Sequence, residues 1–258
     1  MLNSWEFNNF AYNNKLKGLD LIMIEEFKCS LWNKYDLCLA AHSDVNLIVG
    51  INGSGKTTLL NKLYQELCKK VDKSLVVYLP SIDNIAMRDK RKASTALAQD
   101  LDFYIYDMKS GPSLMFYRMA MLDVSDEQQQ AMKARIEQLK DTINQFFSVS
   151  GKRIEIESNK FWILNDGEKL TIDSLSSGEK QLLLILLRVF LLEGKEAYVL
   201  IDEPENSLDI EWQYNLVNVL VELNPHAQYF ITTHSPGIFG DGWGDKVIYM
   251  DQIVKVKE

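Results

Sequence analysis

The segment from Gly50 to Thr57 constrains this chain more than any other. It reads Gly-Ile-Asn-Gly-Ser-Gly-Lys-Thr, which is a glycine, four free positions and then Gly-Lys-Thr. An apolar, β-branched run precedes it at Val45 to Val49, and an apolar helical pattern follows from Thr58 to Leu67. A glycine-rich loop between a strand and a helix directs backbone N–H groups and the positive end of the helix dipole to one point. A polyphosphate would fit there.

Two side chains at the end of this segment extend the prediction. Lys56 would reach the β- and γ-phosphates of a nucleotide, and the hydroxyl of Thr57 would ligate Mg²⁺. The residues that we expect to hold the nucleotide here are Gly50, Asn52, Gly53, Ser54, Gly55, Lys56, Thr57 and Thr58. The same letters also fit a glycine-rich turn with a solvated lysine, and the choice between the two depends on the rest of the chain.

Composition favours one large domain over residues 1–258. The chain has 258 residues, 47% of them apolar, and a net charge of -8, which argues against a surface that is basic throughout. The first fourteen residues lack a basic stretch followed by an apolar core, and the apolar run from Leu182 to Leu192 is too short to span a bilayer. Three cysteines without CxxC spacing, Cys29, Cys38 and Cys68, indicate buried thiols in a reducing compartment. We therefore expect a cytoplasmic protein with no membrane partner.

The order of apolar segments predicts an α/β fold. A hairpin over 21–27 and 37–41 leads into the strand before the loop, and a strand at 74–79 closes a strand-helix-strand unit, which implies parallel pairing. The pattern changes over residues 81–150 and predicts a helical insertion. Within it, a capping box at Ser125 and Gln128 predicts the start of a long amphipathic helix, which we expect to pack on the core. Strands over 153–172 and a buried helix at 182–192 follow.

Two adjacent carboxylates end the next apolar strand. Ala197 to Ile201 leads into Asp202, Glu203 and a proline, so the acids lie at the carboxyl end of a parallel strand, where open α/β sheets bind ligands. We assign Asp202 to a magnesium ion and Glu203 to the activation of an attacking water. The alternative is that Asp-Glu-Pro only begins a helix.

A further strand ends beside a histidine. Residues 229–233 precede His234, which would therefore lie on the same rim as Asp202 and could hydrogen-bond a γ-phosphate oxygen. Another loop, Leu-Ser-Ser-Gly-Glu-Lys-Gln at 175–181, places Ser176 and Gly178 at a helix start, which is a weak anion-site signal by itself.

In this order the motifs resemble the ATP-binding cassette superfamily. The phosphate loop, the Leu-Ser-x-Gly-Glu signature, the strand ending in Asp-Glu, the Ser207-Leu208-Asp209 segment and the switch histidine occur in the family's sequence order. The variants are most similar to the soluble RecF/SMC/OLD-type ATPases, including those of anti-phage systems. The resemblance covers about residues 21–80 and 150–250, and the insertion lies outside it.

This resemblance implies ATP and Mg²⁺ as ligands and a head-to-tail homodimer that sandwiches two ATP molecules. Ser176 and Gly178 would contact the γ-phosphate bound by the other subunit, and Asp209 would cross the interface. Lys28 lies in a short phenylalanine-plus-basic segment that such proteins carry near the nucleotide. The catalytic residues would be Glu203, His234 and Lys56, with Thr57 and Asp202 at the metal.

One departure from the family concerns the Q-loop. No glutamine ends the strand at 74–79, and Ser81, Asp83 and Gln99 are the possible substitutes. The leading hypothesis is an ATPase switch that controls an effector protein such as a nuclease, or DNA, in anti-phage defence or DNA repair. The alternative is the nucleotide-binding subunit of a membrane transporter. A basic cluster would supply phosphate contacts if DNA is bound, and its members are Arg88, Lys90, Arg91 and Lys92.

Overall fold

This computed structural model describes residues 23–84, 95–240 and 242–256, which form both strands and helices. The strands are β1 (Glu26–Leu31), β2 (Tyr35–Ala40), β3 (Val45–Val49), β4 (Val76–Leu79), β5 (Lys152–Glu157), β6 (Lys160–Asn165), β7 (Glu168–Leu170), β8 (Ala197–Asp202), β9 (Ala227–Thr233), β10 (Val247–Tyr249) and β11 (Val254–Val256). The helices are α1 (Lys56–Lys70), α2 (Ala96–Tyr106), α3 (Leu114–Ala120), α4 (Asp126–Phe147), α5 (Ser177–Phe190), α6 (Ile210–Leu223) and α7 (Met250–Ile253). The predicted basic cluster, Arg88, Lys90, Arg91 and Lys92, lies outside the described residues, as does the side chain of Asp83.

A parallel sheet in the order β10-β3-β9-β8-β4 forms the centre of the fold. Strands β8 and β9 are buried along their whole length, which explains why their sequences are almost continuously apolar. The predicted α/β class with a parallel strand-helix-strand unit is confirmed. The antiparallel strands belong to two further three-stranded sheets, β1-β2-β11 and β5-β6-β7.

Each face of the parallel sheet has its own core because side chains alternate along a strand. On β8, Tyr198 and Leu200 belong to the cluster that includes the apolar face of α1. Val199 and Ile201 belong to the other cluster, which includes α5 and α6. The sheet is therefore covered on both faces, and its carboxyl edge, where the strands end, is left for polar groups.

Short turns set the register of the antiparallel pairs. Residues 32–34 join β1 to β2, with φ angles of 50° at Trp32 and 58° at Asn33, and Asp166 and Gly167 join β6 to β7 with φ angles of 48° and 85°. Two successive positive φ angles are typical of the type I′ hairpin, whose twist matches that of the strands. The predicted hairpin over 21–27 and 37–41 is confirmed, although β1 begins five residues later than expected, and the strands predicted over 153–172 are confirmed as β5, β6 and β7.

Helices α2, α3 and α4 lie between β4 and β5 in the chain. Helix α4 begins with the predicted capping box, in which Ser125 accepts from the backbone of Gln128 and the Gln128 side chain accepts from the backbone of Ser125. Its apolar face, including Ile136, Leu139 and Ile143, belongs to the same core cluster as α5. The prediction that this helix packs on the core is confirmed. Burial of its apolar face offsets the cost of ordering the helix.

The prediction that the cysteine thiols are buried is wrong for Cys38, which is exposed, while Cys29 and Cys68 are partly buried. Neighbouring residues of a strand point to opposite faces. Leu37 and Leu39 take the inner face of β2, so Cys38 takes the outer one.

A buried ion pair joins β5 to the start of α5. The ammonium of Lys152 lies 2.8 Å from Oε2 of Glu179, whose side chain is 3% exposed. The same carboxylate accepts from the Ser150 hydroxyl at 2.8 Å and from the Ser176 backbone N–H at 2.7 Å. Burial alone would raise the pKa of Glu179, but these donors and the lysine charge hold the pKa below its ordinary value.

Replacing Lys152 by methionine is expected to lower the free energy of unfolding by about 3 kcal/mol, because the Glu179 carboxylate is left buried without its cation. Urea denaturation followed by circular dichroism measures this. The matched control is Lys169→Met, whose partners Glu155 and Glu157 are exposed, and it should cost less than about 1 kcal/mol. Equal losses in the two variants would contradict the prediction.

The same carboxylate predicts a pH dependence. A folded-state pKa below the ordinary value means that the contribution of Glu179 to stability is present above its unfolded pKa and is lost as the pH falls through the folded pKa. Stability measured between about pH 6 and pH 3 should therefore fall less steeply for Glu179→Gln than for the wild type. Parallel curves would exclude Glu179 as a source of acid sensitivity.

Candidate active site

The loop from Gly50 to Gly55 joins β3 to α1 and depends on glycine at two positions. Gly53 and Gly55 have φ angles of 80° and 97°. A Cβ on Gly55 would lie 3.0 Å from Leu31 and 3.1 Å from the ring of Trp32, so the β1–β2 hairpin packs directly against the loop. Packing by the hairpin therefore restrains the conformation of the loop, which ends at the N-terminus of α1.

Lys56 folds back over this loop. Its side chain is 3% exposed, and its ammonium donates to the carbonyl oxygens of Gly50 at 2.7 Å and Ile51 at 3.2 Å. The third neighbour is Oε1 of Glu203 at 3.0 Å. The sequence predicted that both residues belong to one site, and the structure brings their charges into contact.

Thr57 and Asp202 form the second contact between the loop and the sheet. The Thr57 hydroxyl donates to Asp202 Oδ2 at 2.8 Å, and the Thr232 hydroxyl donates to Asp202 Oδ1 at 2.6 Å. Burial raises the pKa of Asp202 above its ordinary value, although the two hydrogen bonds oppose the shift. A hydroxyl and a carboxylate in contact are hard oxygen donors that fit Mg²⁺, which takes few protein ligands and completes its shell with water and phosphate oxygens.

Glu203 adopts a backbone conformation that a non-glycine residue rarely takes, with φ at 47°. Its backbone N–H donates to the Thr232 carbonyl at 3.1 Å, which holds the turn in place. Burial would raise the pKa of Glu203, but Lys56 outweighs it and lowers the pKa below the ordinary value. The strained turn directs the Glu203 carboxylate toward the loop, whereas Asp202 remains within the strand.

His234 follows β9 directly and completes the rim. Its Nδ1 lies 3.1 Å from Oε1 of Glu205 and 3.9 Å from Oε1 of Glu203. The His234 side chain is 43% exposed, whereas that of Glu205 is 3% exposed. The predicted catalytic and metal residues thus form one connected cluster, whose members are Lys56, Thr57, Asp202, Glu203 and His234.

The predicted binding residues outside the phosphate loop, which are Lys28, Ser176, Gly178 and Asp209, contact other parts of the fold. Ser176 is the exposed N-cap of α5 and forms a capping box with Glu179, and Asp209 is the exposed N-cap of α6. A Cβ on Gly178 would lie 2.1 Å from the Ser207 carbonyl oxygen, so the signature helix lies against the turn after β8. Lys28 lies on the exposed face of β1, where its ammonium is 2.7 Å from Glu26.

Sequence reasoning assigned no role to Asn206, although it lies in the Asp-Glu-Pro-Glu-Asn segment. Its amide donates to the Ser81 hydroxyl at 3.2 Å and to Oε2 of Glu203 at 3.4 Å. Ser81, one of the possible Q-loop substitutes, therefore reaches the cluster through this amide. Another substitute, Gln99, is buried in α2.

One comparison with known proteins identifies a family for this chain. The profile of one protein family, described as "AAA domain, putative AbiEii toxin, Type IV TA system", matches residues 88–240, which is more than half of the chain. The chain belongs to this family. The matched range of the AAA-domain family contains the signature loop, Asp202, Glu203 and His234, and the structure joins them to the phosphate loop, which precedes that range.

Solved structures extend the comparison to the fold. An SMC head bound to the C-terminal winged-helix domain of ScpA is 14% identical, with a TM-score of 0.50, and the match covers 87% of this chain and 96% of that one. An SMC head from Thermotoga maritima is 16% identical over 84% of this chain and 92% of that one, with a TM-score of 0.41. A nucleotide-free ATP-binding cassette from an ABC transporter is 16% identical over 86% and 84%, with a TM-score of 0.43. The predicted fold is confirmed by the first of these matches: the chain has the fold of an SMC head.

Among the described residues, no helix has both the length and the apolar composition to span a bilayer.

Gly178→Ala tests how tightly α5 packs against the turn after β8. The added methyl group overlaps the Ser207 backbone, so we expect a loss of about 1–3 kcal/mol in the free energy of unfolding. Gly244→Ala is the control, because a Cβ there meets no atom within 4 Å. Differential scanning calorimetry compares the two, and a Gly178 variant as stable as the control would contradict the packing.

Proposed function

We propose that this protein is an ATPase whose site is completed by a second copy of the chain, and that its closing and opening control a partner. The observation that carries the proposal is the convergence of Lys56, Thr57, Asp202, Glu203 and His234 at the carboxyl edge of the parallel sheet. These are the groups that phosphoryl transfer to water requires: a cation for the phosphates, oxygen ligands for a metal, and a base.

Lys56 and Glu203 would act as a switch that depends on the nucleotide. While the carboxylate is paired with the ammonium, its lowered pKa makes it a weak base. The β- and γ-phosphates of ATP would compete for the same ammonium, because they carry more negative charge than one carboxylate. Glu203 would then be released toward the attacking water, still held on one side by Asn206.

Thr57 and Asp202 would hold the magnesium ion. When bound, Mg²⁺ neutralises charge that develops on the phosphate oxygens. The Thr232 hydroxyl occupies one side of the Asp202 carboxylate, so this side chain has a fixed orientation before any metal arrives. His234 would contact the γ-phosphate from the end of the neighbouring strand.

The starts of helices α5 and α6, which lie outside the cluster, support the proposed dimer. Ser176 and Asp209 are exposed N-caps of two helices, and the N–H groups of a helix start favour an anion. In the proposed head-to-tail dimer, Ser176 and Gly178 of one copy face the γ-phosphate held by Lys56 of the other. Asp209 would lie at the interface between the two.

Turnover should be blocked in Glu203→Gln, because the amide takes no proton from water, while ATP remains bound. We expect hydrolysis to fall by at least about 100-fold, and a stable dimer to form in ATP and Mg²⁺ but not in ADP. Phosphate release and light scattering after size exclusion measure the two effects. Glu222→Gln, an exposed glutamate at the end of α6, is the control. Unchanged turnover in Glu203→Gln would remove this residue from the role of base.

Mixing two inactive variants tests whether the site is shared between copies. Lys56→Ala loses the phosphate contact and Ser176→Arg blocks the signature, so each protein alone should be inactive. A mixed dimer has one site with a normal Lys56 and a normal Ser176, so an equal mixture should recover roughly a quarter of wild-type turnover if the copies pair at random. No recovery, with dimers forming normally, would contradict a composite site.

The partner that we propose is an effector protein such as a nuclease, within a defence system. The family's description names a toxin of a type IV toxin–antitoxin system, and the matched SMC head was solved with a domain of another protein. DNA is the competing partner. Replacing Arg88, Lys90, Arg91 and Lys92 by alanine should leave DNA affinity and its salt dependence unchanged in fluorescence anisotropy. A lower affinity together with a smaller salt slope would instead favour DNA.

A further inference from the structure

We propose that Glu205 is a positioning residue, which decides which nitrogen of the His234 imidazole faces the γ-phosphate. The inference rests on the proposed ATPase function, in which His234 contacts that phosphate. The motif Asp202-Glu203-Pro204-Glu205 carries three acids, and the first two have roles at the metal and the water. The side chain of the third acid has a different set of contacts, all of them at the segment that carries the histidine.

One oxygen of Glu205 holds the end of β9. Its Oε1 accepts from the Thr233 hydroxyl at 2.7 Å, from the backbone N–H of His234 at 2.7 Å, and lies 3.1 Å from His234 Nδ1. The side chain is 3% exposed, so water does not compete for these bonds. A single buried oxygen therefore fixes both the backbone and the ring of His234.

This contact determines the protonation pattern of the ring. A carboxylate oxygen 3.1 Å from Nδ1 repels a lone pair and attracts a proton, so we expect Nδ1 to carry the proton and Nε2 to be left on the other side of the ring. Only Nε2 is then available for the nucleotide. Without Glu205, the ring could rotate about its Cβ–Cγ bond and could present either nitrogen.

A second contact holds the segment after the histidine. The Ser235 hydroxyl donates to Gln213 Oε1 at 2.6 Å, and the Gln213 amide donates to the Leu208 carbonyl at 2.9 Å. The segment after His234 is thus anchored independently of Glu205, whose own contacts are to the end of β9 and to the backbone N–H and ring of His234.

The second oxygen of Glu205 makes it possible to choose variants that distinguish a hydrogen-bonding role of this side chain from a role in packing. Oε2 is buried and has no hydrogen-bond partner among the described residues. Glu205→Gln keeps the acceptor at Oε1 and places its amide nitrogen at this second position. Glu205→Met has a similar length and removes the acceptor. The two variants therefore differ mainly in the contact to the histidine segment.

Steady-state ATPase measurements give the first test. Glu205→Met should lower kcat by about 10- to 100-fold with little change in the KM for ATP, and Glu205→Gln should stay within about threefold of the wild type. In a His234→Ala background, Glu205→Met should cost less than about twofold more, because the residue acts through the imidazole. The exposed Glu222→Met is the control. Additive losses, or a glutamine variant as slow as the methionine one, would overturn the proposal.

Nitrogen-15 NMR of the histidine rings gives a test that does not depend on hydrolysis. At about pH 8.5, where an ordinary imidazole is neutral, His234 should be protonated at Nδ1 in the wild type and at Nε2 in Glu205→Met. The other histidines, His42 and His226, serve as internal references, and His234→Gln assigns the signal. The same tautomer in both proteins would overturn the proposal. If the wild type failed to hydrolyse ATP, the proposed function would fail while this measurement still decided the role of Glu205.

Discussion

The register of three neighbouring strands determines where the chemistry of this protein lies. Val49, at the end of β3, pairs with Thr233 on β9, and Asp202, at the end of β8, pairs with Thr232. Because the strands are parallel and in step, the residues that follow them leave the sheet at one edge. A shift of one residue along β9 would exchange Thr232 and Thr233 between the two faces and would remove the hydroxyl that holds Asp202.

At this edge of the sheet, burial and neighbouring groups set the pKa of each acid. Asp202 is buried against two hydroxyls and has a raised pKa, whereas its neighbour Glu203 is beside the Lys56 ammonium and has a lowered one. Glu205 points to a third partner, the histidine segment. The proline between Glu203 and Glu205 and the left-handed turn at Glu203 separate these directions, since a regular strand would place alternate side chains on the same face.

Helix α5 packs against the turn that follows β8 at the same edge of the sheet. Gly178 lies against the backbone after β8, and Glu179 is tied to Lys152 on β5, which follows α4 in the chain. Strand β5 thus contacts the start of α5 through the Lys152–Glu179 pair, and Ser81 contacts Asn206 beside Glu203.

The sequence alone determined the parts whose physics is local. The glycine pattern predicted the loop at 50–57, continuous apolar runs predicted the buried strands, and the capping box at Ser125 predicted the start of α4, because each depends on residues a few positions apart. The tertiary structure decided the contacts between distant segments. The Lys56–Glu203 pair and the Ser81–Asn206 contact were not predictable, since they depend on strand order and register. Glu205 was visible in the sequence from the start, but only its burial beside His234, 29 positions away, assigned it a partner.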